Sequence, residues 1–338
     1  MSNTNKLYDV IIIGGGTTGL AAGLYAGRDR SETLIIEKGF FGGQISITSE
    51  VENYPGVLQT SGPELIETMR QQAENFGCEF VTAEVTEIVA SKDELVKTVK
   101  TNQGDFSALS VIVATGANPR EAGFENEDKF KGRGVSFCAT CDAMFYKDKE
   151  VYVIGGGFAA CEEAEYLTKF ALKVTMIIRR DEFSAPISIA NDVLENEKIE
   201  VRFNTKITKV EGEMMIEKIH FTNSETQESY VEDFEPGSVG IFVFTGYVPE
   251  SDIIKGLVEL DQGGGAITND EMETDIPGLY VAGDIRQKRL RQLVTAASDG
   301  AIAATMAGKY VNDLKRNHSE EFQSVCDKFS AGEEVDPK

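Results

Sequence analysis

Two stretches of the chain share one pattern of apolar and polar positions. Residues 9–38 read DVIIIGGGTTGLAAGLYAGRDRSETLIIEK, and residues 150–180 read EVYVIGGGFAACEEAEYLTKFALKVTMIIRR. Each opens with a short β-branched apolar run, passes through three glycines, continues with small and apolar residues at helical spacing, and closes with a second apolar run. Because this succession is typical of strand, tight turn, helix and strand, the pattern predicts one βαβ unit in each stretch.

The glycines of both stretches have the spacing of a dinucleotide-binding turn. In the first copy, Gly14 makes the turn, Gly16 lets the backbone approach a pyrophosphate, and Gly19 lets helix and strand pack closely. The matching positions of the second copy are Gly155, Gly157 and Ala160. A pyrophosphate would rest on amides at the helix N-terminus. One GxGxxG alone is weak evidence, but two copies in this context predict two dinucleotide sites.

The two copies differ at the end of their second strand. Glu37 ends the first copy, where an acid accepts hydrogen bonds from ribose hydroxyls and so suits FAD or NAD. Arg179 and Arg180 end the second copy, where a guanidinium suits the 2′-phosphate of NADPH. The alternative is a solvated basic pair that balances the two acidic residues after it.

One CxxC motif lies between the two glycine turns. Cys138 and Cys141 are followed directly by Asp142. A structural zinc site normally needs four Cys or His ligands, and the chain has five cysteines, this single CxxC and two isolated histidines. Zinc is therefore disfavoured, while a chance CxxC remains an alternative. Two dinucleotide sites beside a dithiol predict an enzyme in which a nicotinamide delivers hydride, a flavin divides it into electrons, and the dithiol passes them on.

Length and charge narrow the class of protein further. A chain of 338 residues suits about two domains. The net charge of -23 disfavours nucleic acid and anionic membrane surfaces as partners, since both would repel it. No apolar run approaches the roughly 20 residues that span a bilayer, and the first residues lack a basic start and an apolar signal core. We therefore expect a cytoplasmic protein without a metal site.

The order of motifs over about residues 7–316 resembles the bacterial-type, low-molecular-weight thioredoxin reductases. The motifs are GGGTTG at 14–19, GGQ at 42–44, VENYPG at 51–56, VATGA at 113–117, KGRGVSFCATCD at 131–142, GGGFAACEEAEYL at 155–167, RRDEF at 179–183, GLYVAGDI at 278–285 and RQLVTAASDGAIAA at 291–304. The resemblance implies an α/β fold of two Rossmann-like domains, with an NAD(P)H domain inserted into an FAD domain. The implied segments are 1–118 and 246–316 for FAD, 119–245 for NAD(P)H and the CxxC, and 317–338 as a tail.

The resemblance also implies roles for particular residues. Those expected along FAD, besides the first glycine turn and Glu37, are Gly43, Gln44, Asn53, Thr115, Gly116, Asp284, Arg291 and Gln292. Asp284 would bind the ribitol hydroxyls, or would alternatively cap a helix. Cys141 would face the flavin, and Cys138 would attack thioredoxin or another thioredoxin-fold protein. Asp142 would relay the proton, and could also cap the following helix. The resemblance further implies a homodimer.

The second nucleotide turn departs from the family pattern at four positions. Phe158 and Ala159 stand where Asn and Ser or Thr are usual, while Ile178 and Ser184 replace the first and last residues of an HRRxxxR phosphate grip. These departures leave NADPH as the expected donor, with NADH or reduced ferredoxin as the alternative. A non-catalytic redox sensor that binds dinucleotides is a further alternative, disfavoured by the ordered CATCD, GLYVAGD and RQ motifs.

The remaining cysteines and the tail lie outside this chemistry. Cys78 and Cys161 lack paired spacing and are expected to be buried. In the tail, apolar residues fall at i, i+3, i+4 and i+7, which predicts one face of a short helix: Phe322, Val325, Cys326 and Phe329. We expect this helix to pack on the FAD domain of its own or a partner subunit, near the flavin, and the last residues to be disordered.

Overall fold

The computed structural model describes residues 6–48 and 51–331 of the chain. Its backbone divides into two units, one formed by Met1–Asn118 with Val248–Lys338 and the other by Pro119–Tyr247. The second unit is thus inserted into the sequence of the first. The predicted disorder of the final residues concerns 332–338, which lie outside the described residues.

The described residues form seventeen strands and seven α-helices. In chain order the strands are β1 (Leu7–Ile13), β2 (Thr33–Glu37), β3 (Glu79–Thr82), β4 (Val85–Val89), β5 (Lys97–Thr101), β6 (Gly104–Val113), β7 (Ala117–Pro119), β8 (Val135–Ser136), β9 (Glu150–Ile154), β10 (Lys173–Ile177), β11 (Ile199–Arg202), β12 (Thr205–Glu211), β13 (Lys218–Asn223), β14 (Ser229–Asp233), β15 (Val239–Val243), β16 (Tyr247–Pro249) and β17 (Leu279–Val281). The helices are α1 (Thr17–Arg28), α2 (Gly62–Asn75), α3 (Ala139–Asp142), α4 (Phe158–Leu167), α5 (Ile187–Glu195), α6 (Leu293–Asn317) and α7 (Ser319–Ala331). Both predicted βαβ units, β1–α1–β2 and β9–α4–β10, are confirmed.

The first unit is built on a seven-stranded sheet, in which six strands follow the order β3-β2-β1-β6-β5-β4 and the seventh, β17, pairs with β6. Strand β6 pairs along one edge with β1 in parallel. Its other edge pairs first with β5, antiparallel, and then with β17, parallel, through Val111–Val113. Strands β1 and β2 are almost wholly buried apolar residues, as expected for parallel strands covered on both faces.

Helices α1 and α6 cover one face of this sheet and pack on each other through small residues. Ala22 and Ala26 of α1 share a buried cluster with Ala303 and Ala307 of α6. A Cβ placed on Gly300 would collide with the backbone of Thr18, so only glycine fits at this crossing. The close approach brings the start of α6 beside the start of α1.

The second unit has a five-stranded parallel sheet in the order β11-β10-β9-β15-β8 and a three-stranded antiparallel sheet, β12-β13-β14. One buried cluster joins the parallel sheet to α4 through residues such as Val153 and Ala164. A second cluster joins it to the antiparallel sheet through residues such as Tyr152 and Phe221. The parallel sheet is therefore covered on both faces.

The predicted tail helix is confirmed as α7. Lys315, near the end of α6, forms a 2.6 Å ion pair with Asp9 of β1 and lies 5.9 Å from the ring centre of Phe322. Asp9 lies near the amino end of β1, whereas Gly14 follows its carboxyl end. The tail around Phe322 therefore lies near the amino end of β1 in its own unit, and its expected position near the flavin of its own or a partner subunit stays a prediction. No helix among the described residues is both long and apolar enough to cross a bilayer.

Candidate cofactor and dithiol sites

The first glycine turn leaves the carboxyl end of β1. Gly14 has φ +109°, and a Cβ there would collide with the carbonyl of Ala114. A Cβ on Gly19 would collide with the carbonyl of Gly14, which shows how closely α1 approaches the turn. Gly16, in contrast, is packed without a collision, since its ideal Cβ meets nothing nearer than the Gly42 carbonyl at 3.7 Å. The backbone at Gly16 is therefore less tightly enclosed than that of Gly14 or Gly19.

Three further segments meet at this turn. The Gly42 amide donates to the Gly15 carbonyl at 2.9 Å, which places Gly43 beside Gly16. Thr115 follows β6 directly beside Gly14, and Gly116 is next in the chain. Gly283, after β17, contacts Thr18 of α1. The segments lie at the carboxyl ends of parallel strands, which is where open α/β sheets bind ligands.

Glu37 lies at the end of β2, where its carboxylate faces the glycine turn. Its Oε2 accepts from the Gly15 amide at 2.7 Å, and its Oε1 accepts from the Gly39 amide at 3.1 Å. An ionised carboxylate has about four acceptor positions, so two remain for ribose hydroxyls. The residue can therefore order the turn and bind a ribose at once.

Asp284 lies within a 3₁₀ turn, Gly283–Ile285, and makes no helix cap through its side chain. Its Oδ1 atom is buried without a hydrogen-bond partner among the described residues, and Lys288 Nζ is 3.9 Å away. Burial raises the pKa of Asp284, while the charges of Lys288 and Arg291 oppose that rise. A buried acceptor without a partner is costly, so this atom fits a hydroxyl-bearing ligand such as the ribitol of FAD.

Asp299 of α6 holds the Asp284 turn in place and was not foreseen from the sequence. Its Oδ2 accepts from the Gly283 amide at 3.1 Å, from Arg286 Nη1 at 3.0 Å and from Lys288 Nζ at 3.0 Å. The residue is 7% exposed. The sequence offered one sign of this role, because Asp299 is the single acidic residue among the small and apolar residues of RQLVTAASDGAIAA.

The other residues expected along the flavin are joined in pairs. Asn53 Nδ2 donates to Gln292 Oε1 at 3.1 Å, and Gln292 is the N-cap of α6. Arg291 donates to the backbone carbonyls of Asp284 and Arg286, each at 3.2 Å. Gln44 Nε2 donates to Asn118 Oδ1, at the end of the segment that leaves the first unit. Asn118 is a further contact that sequence reasoning missed.

The second glycine turn has the same form within the second unit. Gly155 has φ +142°, and Gly157 is open, with Ser184 Oγ nearest its ideal Cβ at 3.6 Å. Ala160 packs against Gly155 at the start of α4. Arg179 and Arg180 follow β10 with exposed side chains, as a phosphate contact requires.

Two departures from the family pattern have structural roles at this turn. Ile178 is buried and packs under Gly156. Ser184 donates to the Gly156 carbonyl through both its amide, at 2.8 Å, and its hydroxyl, at 3.2 Å. Phe158, the first residue of α4, is 48% exposed. Arg179 and Arg180 are therefore the cations of the 178–184 segment.

Cys138 and Cys141 are joined by a disulfide, with Cα atoms 5.3 Å apart. Cys138 is half-buried at the N-cap of α3, and Cys141 is exposed. The Cys141 amide lies 3.2 Å from Cys138 Sγ and points its hydrogen at that sulfur. Hydrogen bonding to a charged form stabilises it, so this amide favours a thiolate on Cys138 once the disulfide is reduced.

The side chain of Asp142 does not cap the following helical turn, which was the alternative to a role in proton transfer. The residue precedes the 3₁₀ turn Ala143–Tyr146 without a side-chain cap, and its Oδ2 instead accepts from Ser136 Oγ at 2.6 Å. Burial raises the pKa of Asp142, and the Ser136 hydrogen bond partly lowers it. A carboxyl group whose pKa is raised towards neutrality suits proton transfer.

The predicted burial of Cys78 and Cys161 is confirmed. Burial raises the pKa of each thiol to about 11, so both stay protonated near neutral pH. Cys326 is half-buried on α7. These thiols lie outside the disulfide chemistry of Cys138 and Cys141.

Comparison with known proteins agrees with the motif order. Residues 8–300 match the family described as pyridine nucleotide-disulphide oxidoreductase. A thioredoxin reductase of Peptoclostridium acidaminophilum is 49% identical over 309 residues, which cover 90% of this chain and 98% of that protein. One of Peptoclostridium litorale is 48% identical, with 91% and 98% covered. The crystal structure of the Streptococcus pyogenes MGAS5005 thioredoxin reductase has a TM-score of 0.84 at 38% identity, covering 92% of this chain and all of that one.

The chain therefore belongs to the pyridine nucleotide-disulphide oxidoreductase family. Within that family, these relatives along nearly the whole chain are thioredoxin reductases. The family resemblance and the α/β fold predicted from the sequence are both confirmed.

Proposed function

We propose that the protein is a thioredoxin reductase with NADPH as electron donor, FAD as flavin cofactor and the Cys138–Cys141 disulfide as the group that reduces thioredoxin. The observation that carries this proposal is the disulfide itself, present in a chain of the disulphide oxidoreductase family that also has two dinucleotide turns. Disulfide reduction is the chemistry that unites these features.

The first unit supplies the residues that would bind FAD. Their support is the loosely packed backbone at Gly16 and the buried Asp284 Oδ1, which has no hydrogen-bond partner among the described residues. The proposed FAD residues are Gly14, Gly16, Gly19, Glu37, Gly43, Gln44, Asn53, Thr115, Gly116, Asp284, Arg291 and Gln292. Bound flavin supplies the exchange between two-electron hydride chemistry and thiol chemistry.

The second unit supplies the residues that would bind NADPH. Gly155, Gly157 and Ala160 form the turn for the pyrophosphate, and Arg179 with Arg180 would contact the 2′-phosphate. The exposed guanidinium groups support this role. A weaker grip on the 2′-phosphate, through the replacement at Ser184, keeps NADH and reduced ferredoxin as alternative donors.

The dithiol step balances two electrons and two protons. Reduction breaks the Cys138–Cys141 bond and gives two thiols. The Cys138 thiolate then attacks a thioredoxin disulfide, and Cys141 attacks Cys138, which restores the S–S bond and releases thioredoxin as a dithiol. Asp142 accepts a proton from the attacking thiol and returns it to the departing thiolate. The Cys141 amide near Cys138 Sγ supports Cys138 as the attacking residue.

Replacement of one cysteine tests this proposal. Cys138→Ser should abolish thioredoxin reduction and leave reduction of the flavin by NADPH intact, because the nucleotide turns are unchanged. Cys326→Ser is the matched control and should keep full turnover, since Cys326 lies on α7 and takes no part in the Cys138–Cys141 disulfide. Thioredoxin turnover and anaerobic flavin absorbance measure the two steps. Wild-type turnover in Cys138→Ser would refute the assignment.

The homodimer and the cytoplasmic location stay predictions from the sequence. Light scattering should give twice the 36.9 kDa mass of one chain if the protein is a dimer. A redox sensor without turnover is the alternative class of function, and the same thioredoxin assay distinguishes it.

A further inference from the structure

Ser136 has a buried side-chain hydroxyl and lies two residues before the first cysteine of the disulfide. It ends β8, where it pairs with Phe242 of β15, and it is 4% exposed. Its Oγ lies 2.6 Å from Asp142 Oδ2 and 3.3 Å from the Cys138 carbonyl, and it accepts from the Cys138 amide at 3.1 Å. One hydroxyl therefore contacts Cys138, the first cysteine of the disulfide, and Asp142, the residue after the second cysteine.

The direction of these bonds follows from the donors available. A serine hydroxyl has one hydrogen, and the carboxylate is both nearer and charged, so the hydrogen points to Asp142. The lone pairs then remain for the Cys138 amide. The Asp142 amide in turn donates to the Cys138 carbonyl at 3.2 Å. Two hydrogen bonds of Asp142 thus hold the segment 136–142 together, one from the Ser136 hydroxyl to its carboxylate and one from its amide to the Cys138 carbonyl.

We propose that Ser136 is a positioning residue for the dithiol step, which holds the Asp142 carboxylate in a fixed orientation beside Cys138. This inference rests on the proton-relay role given to Asp142 in the proposed function. Without Ser136, the carboxyl would keep its burial but lose its donor, and it could rotate about its side-chain bonds. Asp142 would then be protonated more readily, since burial disfavours its charged form.

Other ionisable groups pack around this segment. Tyr146 lies on the adjacent 3₁₀ turn, and its pKa is raised to about 12 by burial and by the Asp142 charge, so it stays neutral in the test range. Ala139 and Ala143 share a buried cluster with α4, where burial raises the pKa of Cys161 to about 11. Glu163 of α4 also has a pKa raised by burial and by Glu162, so a variant at this position serves as a control.

The experiment compares Ser136→Ala with wild type in two measurements. The first is the pH profile of thioredoxin turnover, in which the limb governed by Asp142 should move up by about one pH unit. The second is the titration of the Asp142 carboxyl carbon by NMR in aspartate-labelled protein, assigned with Asp142→Asn. It should show the same upward shift. Ser136→Thr keeps the hydroxyl and should restore the wild-type profile.

The controls separate positioning from a general effect on structure. In the Asp142→Asn background, Ser136→Ala should cause no further shift of the pH profile. Glu163→Gln should leave the Asp142 titration unchanged. If Ser136→Ala leaves the Asp142 carboxyl titration unmoved, or if the shift persists without Asp142, the positioning role is refuted.

The two measurements also distinguish this inference from the function on which it rests. If wild-type protein reduces thioredoxin but the Asp142 titration does not respond to Ser136, the inference fails and the function stands. If wild type shows no thioredoxin turnover, the proposed function fails, and the role of Ser136 in the dithiol step fails with it, whatever the NMR titration shows.

Discussion

Lys97 shows how single residues of this fold depend on distant partners. It lies on β5 with 0% exposure, and its Nζ donates to the carbonyls of Glu94 and Leu95 and to the Tyr310 hydroxyl, at 3.4, 3.1 and 3.1 Å. Burial lowers its pKa to about 8, against a small opposing effect of Glu94. The positive charge on Lys97 therefore lowers the free energy of unfolding, because the buried charge has lost its hydration.

This destabilisation predicts a pH dependence with a defined sign. Between pH 8 and 10.5 the unfolded chain keeps the Lys97 proton and the folded chain has lost it, so stability rises with pH in this window. Below pH 8 both states are protonated, and the contribution is constant. Relative to Lys97→Met, wild type should gain on the order of 3 kcal/mol in free energy of unfolding from pH 8 to 10.5.

Melting temperatures of wild type and Lys97→Met, measured across that window, check the prediction. Subtracting the two curves removes titrations that both proteins share. The difference should grow in favour of wild type as pH rises. A difference that stays flat would mean that Lys97 has an ordinary pKa in the folded protein.

Residues with local signatures could be found in the sequence, and residues with distant partners could not. The glycine turns and the CxxC are recognisable because their function depends on neighbours within a few positions. Asp299 contacts Gly283 across 16 positions, and Lys97 contacts Tyr310 across 213. Such pairs exist only after β5, β17 and α6 have packed, and no periodicity marks them beforehand.

Among the helices and strands, the second βαβ unit is the one proposed to bind the electron donor. Ile178 and Ser184 contact the glycine turn, while the exposed Arg179 and Arg180 are the proposed contacts of a 2′-phosphate. A charge-assisted contact contributes about 1.5–3 kcal/mol, and each 1.4 kcal/mol corresponds to about tenfold in affinity. NADPH should therefore stay preferred over NADH, by roughly tenfold less than with a third cation at position 184.

Steady-state kinetics with both nicotinamides test this assignment. Arg179→Ala with Arg180→Ala should lose most of the NADPH preference and leave kcat/KM with NADH nearly unchanged. Ser184→Arg is the converse variant and should deepen the preference. No loss with NADPH in the double variant, or no oxidation of either nicotinamide by wild type, would make reduced ferredoxin the leading candidate donor.

The predicted elements were those with strong local patterns. Strands β1, β2, β9 and β10 are short apolar runs that border glycine turns, and α7 has one apolar face. The antiparallel strands β4 and β14 were not predicted. Four of the five residues of β14 are exposed, and β4 combines exposed Thr86 and Glu87 with buried Ile88 over only five residues. Their pairing with β5 and β13 depends on contacts formed after the chain turns back, so the local sequence alone does not mark them.

At the scale of the whole molecule, the second unit is a single segment inserted between the two segments of chain that form the first unit. Asn118 ends the first of these two segments, and Val248 begins the other. The boundary expected from the sequence, at 245/246, lies two residues before the one found in the structure. Family resemblance supplied this architecture, because an inserted domain leaves no periodicity that distinguishes it from two consecutive domains.

The central claim is that NADPH oxidation by this protein produces thioredoxin thiols through Cys138 and Cys141. The most direct measurement is anaerobic, with limiting NADPH and excess oxidised thioredoxin, and counts new thioredoxin thiols by alkylation and mass spectrometry. We expect two thiols for each NADPH oxidised with wild type. Cys141→Ser should give at most one thiol per enzyme, from a mixed disulfide with Cys138, and none coupled to NADPH oxidation, because it cannot restore the disulfide. NADPH oxidation without thioredoxin thiols, or undiminished thiol formation by Cys141→Ser, would contradict the account.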